Sequence, residues 1–171
     1  MGGYQGGDVA SKIAVQNIRQ VFLDHELSKP GAFERVYAQI DLDIRAQLQD
    51  TKGGTTCVAA VISNNTLTIA NIGDSRAYLY REGFLQRLTK DDSLVQMLLD
   101  SERLTEAQAN DFPKRNVIMK ALGVGKETEP CVTKSSFIAG DLVLLCTDGL
   151  CGTLSDPELS QMLPDLTAFF E

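Results

Sequence analysis

The 171-residue sequence has no tryptophan, a single histidine and an aromatic fraction of only 6%. His25 sits in LDHELSKPG, where it reads as a surface residue near a helix end, so Ser–His nucleophile chemistry has no base to work with. The four cysteines, Cys57, Cys131, Cys146 and Cys151, show no CxxC spacing, and there is no His/Cys cluster of the kind zinc needs. Cys57 and Cys146 lie inside apolar runs and read as small core residues, which makes a reducing, cytoplasmic setting the expectation. No apolar stretch reaches the length of a membrane-spanning helix. The opening MGGYQGGD lacks the charged and apolar regions of a secretory leader. Gly6 stands where a myristoylation signal wants Ser or Thr. Basic residues are also in deficit, 16 against 23 acidic, for a net charge of −7. Nucleic acid and anionic membranes are therefore poor candidates as partners.

What is present fits one domain. Residues 9–24 and 32–49 carry apolar side chains at helical spacing, with Asp8 as the expected N-cap of the first helix and Lys29-Pro30-Gly31 separating the two. The character then turns to β. TTCVAAVI (55–62), LTIANI (67–72), RAYLYR (76–81) and FLQRL (84–88) are short runs divided by turns, with Ser63-Asn64-Asn65 and Glu82-Gly83 as hairpin signals. They predict a β-meander. Residues 92–122 predict helices over SLVQMLLD, LTEAQAND (capped by Thr105) and NVIMKAL. CVTKSSFI (131–138) and DLVLLCT (141–147) predict two further strands joined by Ala139-Gly140. Ser155 and Glu158 form a capping-box pattern for a last helix. The class is α+β, with sheet packed against the two N-terminal helices.

Two places share a design. Asp74 follows the run LTIANIG, and Asp148 follows DLVLLCT; each carboxylate stands just past a buried strand, beside a glycine. Brought together, two such charges would repel, and a hard cation such as Mg²⁺ or Mn²⁺ would remove the conflict. Asp beside Gly is also a common turn dipeptide. Spacing alone leaves both two ordinary turns and a shared metal open. Ser75 and Arg76 in the first turn are nucleophile and anion-binder types, and Arg76 is placed to brace the turn by hydrogen bonding.

Six segments change this reading: MGGYQGGDVAS (1–11), GGTT (53–56), IANIGDSRAYL (69–79), LTKDDSLVQ (88–96), RNVIMKALG (115–123) and GDLVLLCTDGL (140–150). In order and approximate spacing they resemble the bacterial type 2C metal-dependent serine/threonine protein phosphatases, from residue 1 to about residue 163. The resemblance implies a partial type 2C phosphatase-like β-sandwich flanked by helices, a single incomplete domain over 1–171 with a flap at about 89–122. It implies Asp74 and Asp148 as ligands of Mg²⁺ or Mn²⁺, within reach of one shared ion, and hydrolysis of phosphoserine and phosphothreonine esters in phosphoprotein signalling. The sequence departs from the family pattern at both ends. The acidic Asp-Gly expected just before the MGG segment, an upstream phosphate-binding Arg, a His where Met1 stands and a final Asp-Asn motif have no counterpart here. The expectation is weak or absent activity for this chain alone. The alternative is a non-catalytic phosphatase-fold module acting by protein binding, with self-association through exposed sheet edges.

Overall fold

The computed structural model describes residues 6–23, 29, 31–49, 51, 53–125 and 129–167. The readings of His25 and of the first residues of the MGG segment lie outside them. The apolar stripes form the two expected helices, α1 (Gly7–Leu23) and α2 (Ala32–Leu48). Asp8 is not the N-cap: α1 begins one residue earlier, which puts its carboxylate in the first turn, where it still favours the positive end of the helix.

The strands form two sheets rather than one meander. β1 (Cys57–Ser63), β2 (Thr66–Ile72) and β5 (Cys131–Ser136) make one antiparallel sheet in the order β1-β2-β5. β3 (Arg76–Arg81), β4 (Phe84–Arg87) and β6 (Leu142–Cys146) make the other, in the order β4-β3-β6. The expected hairpins are present inside each sheet. Ser63 pairs with Thr66 across Asn64 and Asn65, both with positive φ, and Arg81 pairs with Phe84 across Glu82 and Gly83. The links β2–β3 and β5–β6, which read as tight turns between paired strands, instead carry the chain from one sheet to the other.

This arrangement explains why LTIANI is apolar without alternation: β2 is covered on both faces. Ala70 and Ile72 join Phe33, Val36, Tyr37, Ile40 and Ile44 in the core beneath α1 and α2. Leu67 and Ile69 meet Ala77 and Leu79 of β3 between the sheets. Tyr37 is fully buried and donates its hydroxyl to the Ala70 carbonyl at 3.0 Å, so its polar tip is satisfied. Burial of Ile40 and Ile44 matches the expected packing of sheet on helices, although only the first sheet takes part. Cys57 packs against the helical core and Cys146 is half-buried, whereas the buried cysteine is Cys151.

After β4 come α3 (Leu94–Asp100), capped by Ser93, and α4 (Glu106–Asn110), where Thr105 and Gln108 form the capping box. The third expected helix, 116–122, is instead extended. Leu94 N donates to Val117 O, Met119 N to Asp92 O, and Thr55 and Leu122 exchange backbone bonds at 3.0 Å. The apolar residues there fit either period, and pairing with chain distant in sequence decides. Beyond β6, α5 (Asp148–Cys151) leads to α6 (Asp156–Thr167), which lies over β4; Ser155 donates from both N and Oγ to Glu158. Among the described residues, no helix is long and apolar enough to cross a membrane.

Candidate metal centre

Asp74 sits in the crossing from β2 to β3, and its neighbours fix that crossing residue by residue. Gly73 has φ of +102°, and a Cβ on it would fall 2.4 Å from Thr56 Cγ2, so only glycine fits. Ser75 is buried, and its hydroxyl shares a 2.9 Å hydrogen bond with Thr56 Oγ1, which ties the turn to the start of β1. The hydroxyl therefore serves the turn and is not available as a nucleophile. Asn71, 1% exposed, donates to the carbonyls of Gly73 (3.4 Å) and Lys90 (3.3 Å).

Asp148 opens α5 immediately after β6. The β3–β6 ladder ends at the pair Arg76–Cys146. Continued by two residues, the same register sets Asp74 opposite Asp148. The structure thus brings the two sequence-predicted carboxylates to one end of one strand pair, and both line a cavity of about 780 Å³. Their proximity is felt electrostatically. Burial raises the Asp74 pKa most, and the negative charge of Asp148 raises it further, with Arg76 opposing more weakly. A carboxylate whose ionisation is opposed by a second carboxylate in the same cavity makes with it a donor set suited to a hard cation. Cys151 also lines the cavity, but burial pushes its thiol up to about 12, so it stays protonated at neutral pH.

Arg76 braces more than its own turn. It donates Nε and Nη2 to the Asp91 carboxylate (3.1 and 2.8 Å) and Nη1 to the Tyr78 hydroxyl (3.3 Å). Arg87 also pairs with Asp91, and the Tyr78 hydroxyl donates to Asp156 at the start of α6 (2.8 Å). One network therefore joins β3, the base of the segment 89–122 and α6, around the cavity. The segment LTKDDSLVQ gives neither Asp91 nor Asp92 a task from sequence alone, and the signal it carries is a pair of adjacent acids a few residues past the run FLQRL.

Comparison with known proteins places the chain in a family. The family model described as protein phosphatase 2C matches residues 1–109, a stretch that includes Asp74 and stops short of Asp148. The chain belongs to the protein phosphatase 2C family. Among its relatives, the serine/threonine protein phosphatase PstP of Mycobacterium tuberculosis is 39% identical over 174 residues, which cover 95% of this chain and 32% of PstP. The serine/threonine phosphatase stp of Listeria monocytogenes is 33% identical over 172 residues, covering 95% of this chain and 68% of that protein. The chain thus spans about a third of the length of one curated relative and two thirds of the other. Among solved structures, the S. agalactiae serine/threonine phosphatase superposes with a TM-score of 0.86 at 29% identity, over 95% of this chain and 70% of that one. The catalytic domain of PstP in complex with two manganese ions superposes with a TM-score of 0.80 at 36% identity, over 96% and 70%. The partial β-sandwich flanked by helices is therefore a protein phosphatase 2C fold. Among the described residues, no group of three or more His, Cys, Asp or Glu side chains is placed to hold a metal ion.

Proposed function

We propose that this chain carries part of the active site of a metal-dependent serine/threonine protein phosphatase that hydrolyses phosphoserine and phosphothreonine esters in phosphoproteins. Asp74 and Asp148 are its ligands for Mg²⁺ or Mn²⁺. The observation that carries this reading is the pair itself: two strand-end carboxylates in one cavity, with the charge of one raising the pKa of the other. Such an ion, when bound, supplies Lewis-acid polarisation of the phosphoryl group and activation of water. The chain's own residues set the stage. Gly73, Ser75 and Thr56 fix the direction of Asp74, Arg76 anchors Asp91 at the base of the segment 89–122, and that segment acts as a flap over the cavity. Residues 1–171 act as a single domain with this flap. Four free cysteines suit a reducing, cytoplasmic setting.

Two carboxylates are a thin ligand set, and loss of supporting partners alone commonly costs 10–100-fold in metal affinity. The chain by itself should hydrolyse a small aryl phosphate slowly or not at all in millimolar Mn²⁺. A version extended at both ends with the corresponding segments of a relative should be active, and Asp148→Ala should abolish that activity. If the short chain matches the extended rate, the ligand count is wrong. If Asp148→Ala leaves the extended rate intact, the site is wrong.

The alternative, a non-catalytic module of the same fold, draws on the same carboxylate pair and on the outer strands β1, β5, β4 and β6, each with one neighbour among the described residues. Open edges of this kind favour pairing with another chain, including a second copy. Metal content separates the readings: bound Mn²⁺ favours the enzyme, and a chain that takes up none favours the module.

A further inference from the structure

Asp92 bonds to two stretches of chain that are distant in sequence, yet the site described so far gives it no part. Its carboxylate Oδ2 accepts from Gly73 N at 2.9 Å. Its own N–H donates to Gly73 O at 2.9 Å, and its carbonyl accepts from Met119 N at 2.7 Å. Gly73 is thus held by Asp92 at both its amide and its carbonyl. Asn71 reaches the same Gly73 carbonyl and the Lys90 carbonyl from within the sandwich, so it supports the clamp from the other side. Gly73 is the residue whose positive φ sends the chain into Asp74. Asp92 therefore joins three stretches at one point: the turn that presents Asp74, the base of the flap, and the returning segment around Met119.

We propose that Asp92 is a positioning residue that sets the direction of the Asp74 carboxylate through Gly73 and ties that direction to the seating of the flap. The proposal rests on the reading of Asp74 as a cation ligand. The side-chain acceptor is the required part, because the amide of Gly73 needs one at that place; a charge on it strengthens the hydrogen bond without being essential to it. An amide side chain would keep the acceptor and lose the charge. A methyl group would keep neither.

The test compares the wild type with Asp92→Ala, Asp92→Asn and Ile40→Val, the last a core change that lowers stability without touching the site. Mn²⁺ affinity is read by electron paramagnetic resonance, and amide hydrogen exchange of residues 73–76 is read without metal. Asp92→Ala should weaken Mn²⁺ binding by about 10–100-fold, the range for loss of a ligand-orienting partner. It should also speed exchange at the Gly73 amide at least ~10-fold, an opening reported directly by exchange. Asp92→Asn should recover most of both, and Ile40→Val should leave both unchanged. Wild-type Mn²⁺ affinity in Asp92→Ala, or an equal loss in Ile40→Val, overturns the proposal. If the wild type takes up no Mn²⁺, the reading of Asp74 as a ligand fails on its own. The exchange arm then decides the positioning role: unchanged exchange at 73–76 in Asp92→Ala overturns it, and a faster rate restored by Asp92→Asn upholds it.

Discussion

A Cβ at position 73 would stand 2.4 Å from Thr56 Cγ2 and 2.7 Å from Thr56 Cβ, on a backbone whose φ is +102°. Strain and overlap act together there, so Gly73→Ala should lose about 2–6 kcal/mol in chemical denaturation. Adding Thr56→Ser, which removes the methyl in the way, should return part of the loss, since the two positions are in contact. A loss under about 1 kcal/mol would mean that the turn can relax and that Asp74 is not rigidly presented. The need for an acid, a hydroxyl and a base in this turn is met one residue at a time. Asp74 faces the cavity, Ser75 is bonded to Thr56, and Arg76 is bonded to Asp91. Of these, the sequence pattern made Asp74 and the bracing role of Arg76 legible. The part of Ser75 was hidden because its partner, Thr56, lies 19 residues earlier and only folding brings it close.

At the scale of elements, the crossing from β5 to β6 is fastened by an ion pair. Arg81 on β3 donates Nε and Nη2 to the buried Asp141 carboxylate at 2.7 and 2.6 Å, and Ile138 N donates to the same group at 2.8 Å. The hydrogen bonds from Arg81 hold Asp141 at about 2, below the ordinary carboxylate value. A depressed carboxylate contributes stability that is present above the unfolded pKa, about 4. That contribution is lost as pH falls through the folded value. The gap in denaturation midpoint between wild type and Asp141→Asn should therefore persist from pH 7 down to about 4 and close between about 4 and 2. A gap unchanged down to pH 2 would contradict the assignment. Strands and hairpins were legible from short β-rich runs divided by turns, among them Asn64-Asn65 and Glu82-Gly83. Pairing was not: a short turn between two apolar runs reads as a hairpin, whereas β2 finds β5 and β3 finds β6 across long stretches of chain. Residues 116–122 read as helix for the related reason that their partners, Asp92, Leu94 and Thr55, are remote in sequence.

The whole molecule is a two-sheet sandwich with α1 and α2 over one sheet and α6 over the other, and the cavity holding Asp74 and Asp148 opens where their strand ends meet the segment 89–122. The family resemblance implied that meeting, whereas spacing alone left it open; the expectation of a buried strand before Asp148 is not met, since Leu142 and Leu145 of β6 are exposed. The geometric cause of the meeting is the β3–β6 register, which sequence does not reveal. The measurement that bears most directly on the account is the Mn²⁺ affinity of the chain by electron paramagnetic resonance, for wild type, Asp74→Asn, Asp148→Asn and Glu106→Gln. Glu106 is an acid of the same cavity that stands at the start of α4. If Asp74 and Asp148 hold one ion, each of their substitutions should weaken binding by about 10-fold or more, whereas Glu106→Gln should stay within about 2-fold, as expected for a charge that does not touch the ion. Binding that is equally weak in all four proteins, or that falls as far with Glu106→Gln as with Asp74→Asn, would contradict the account.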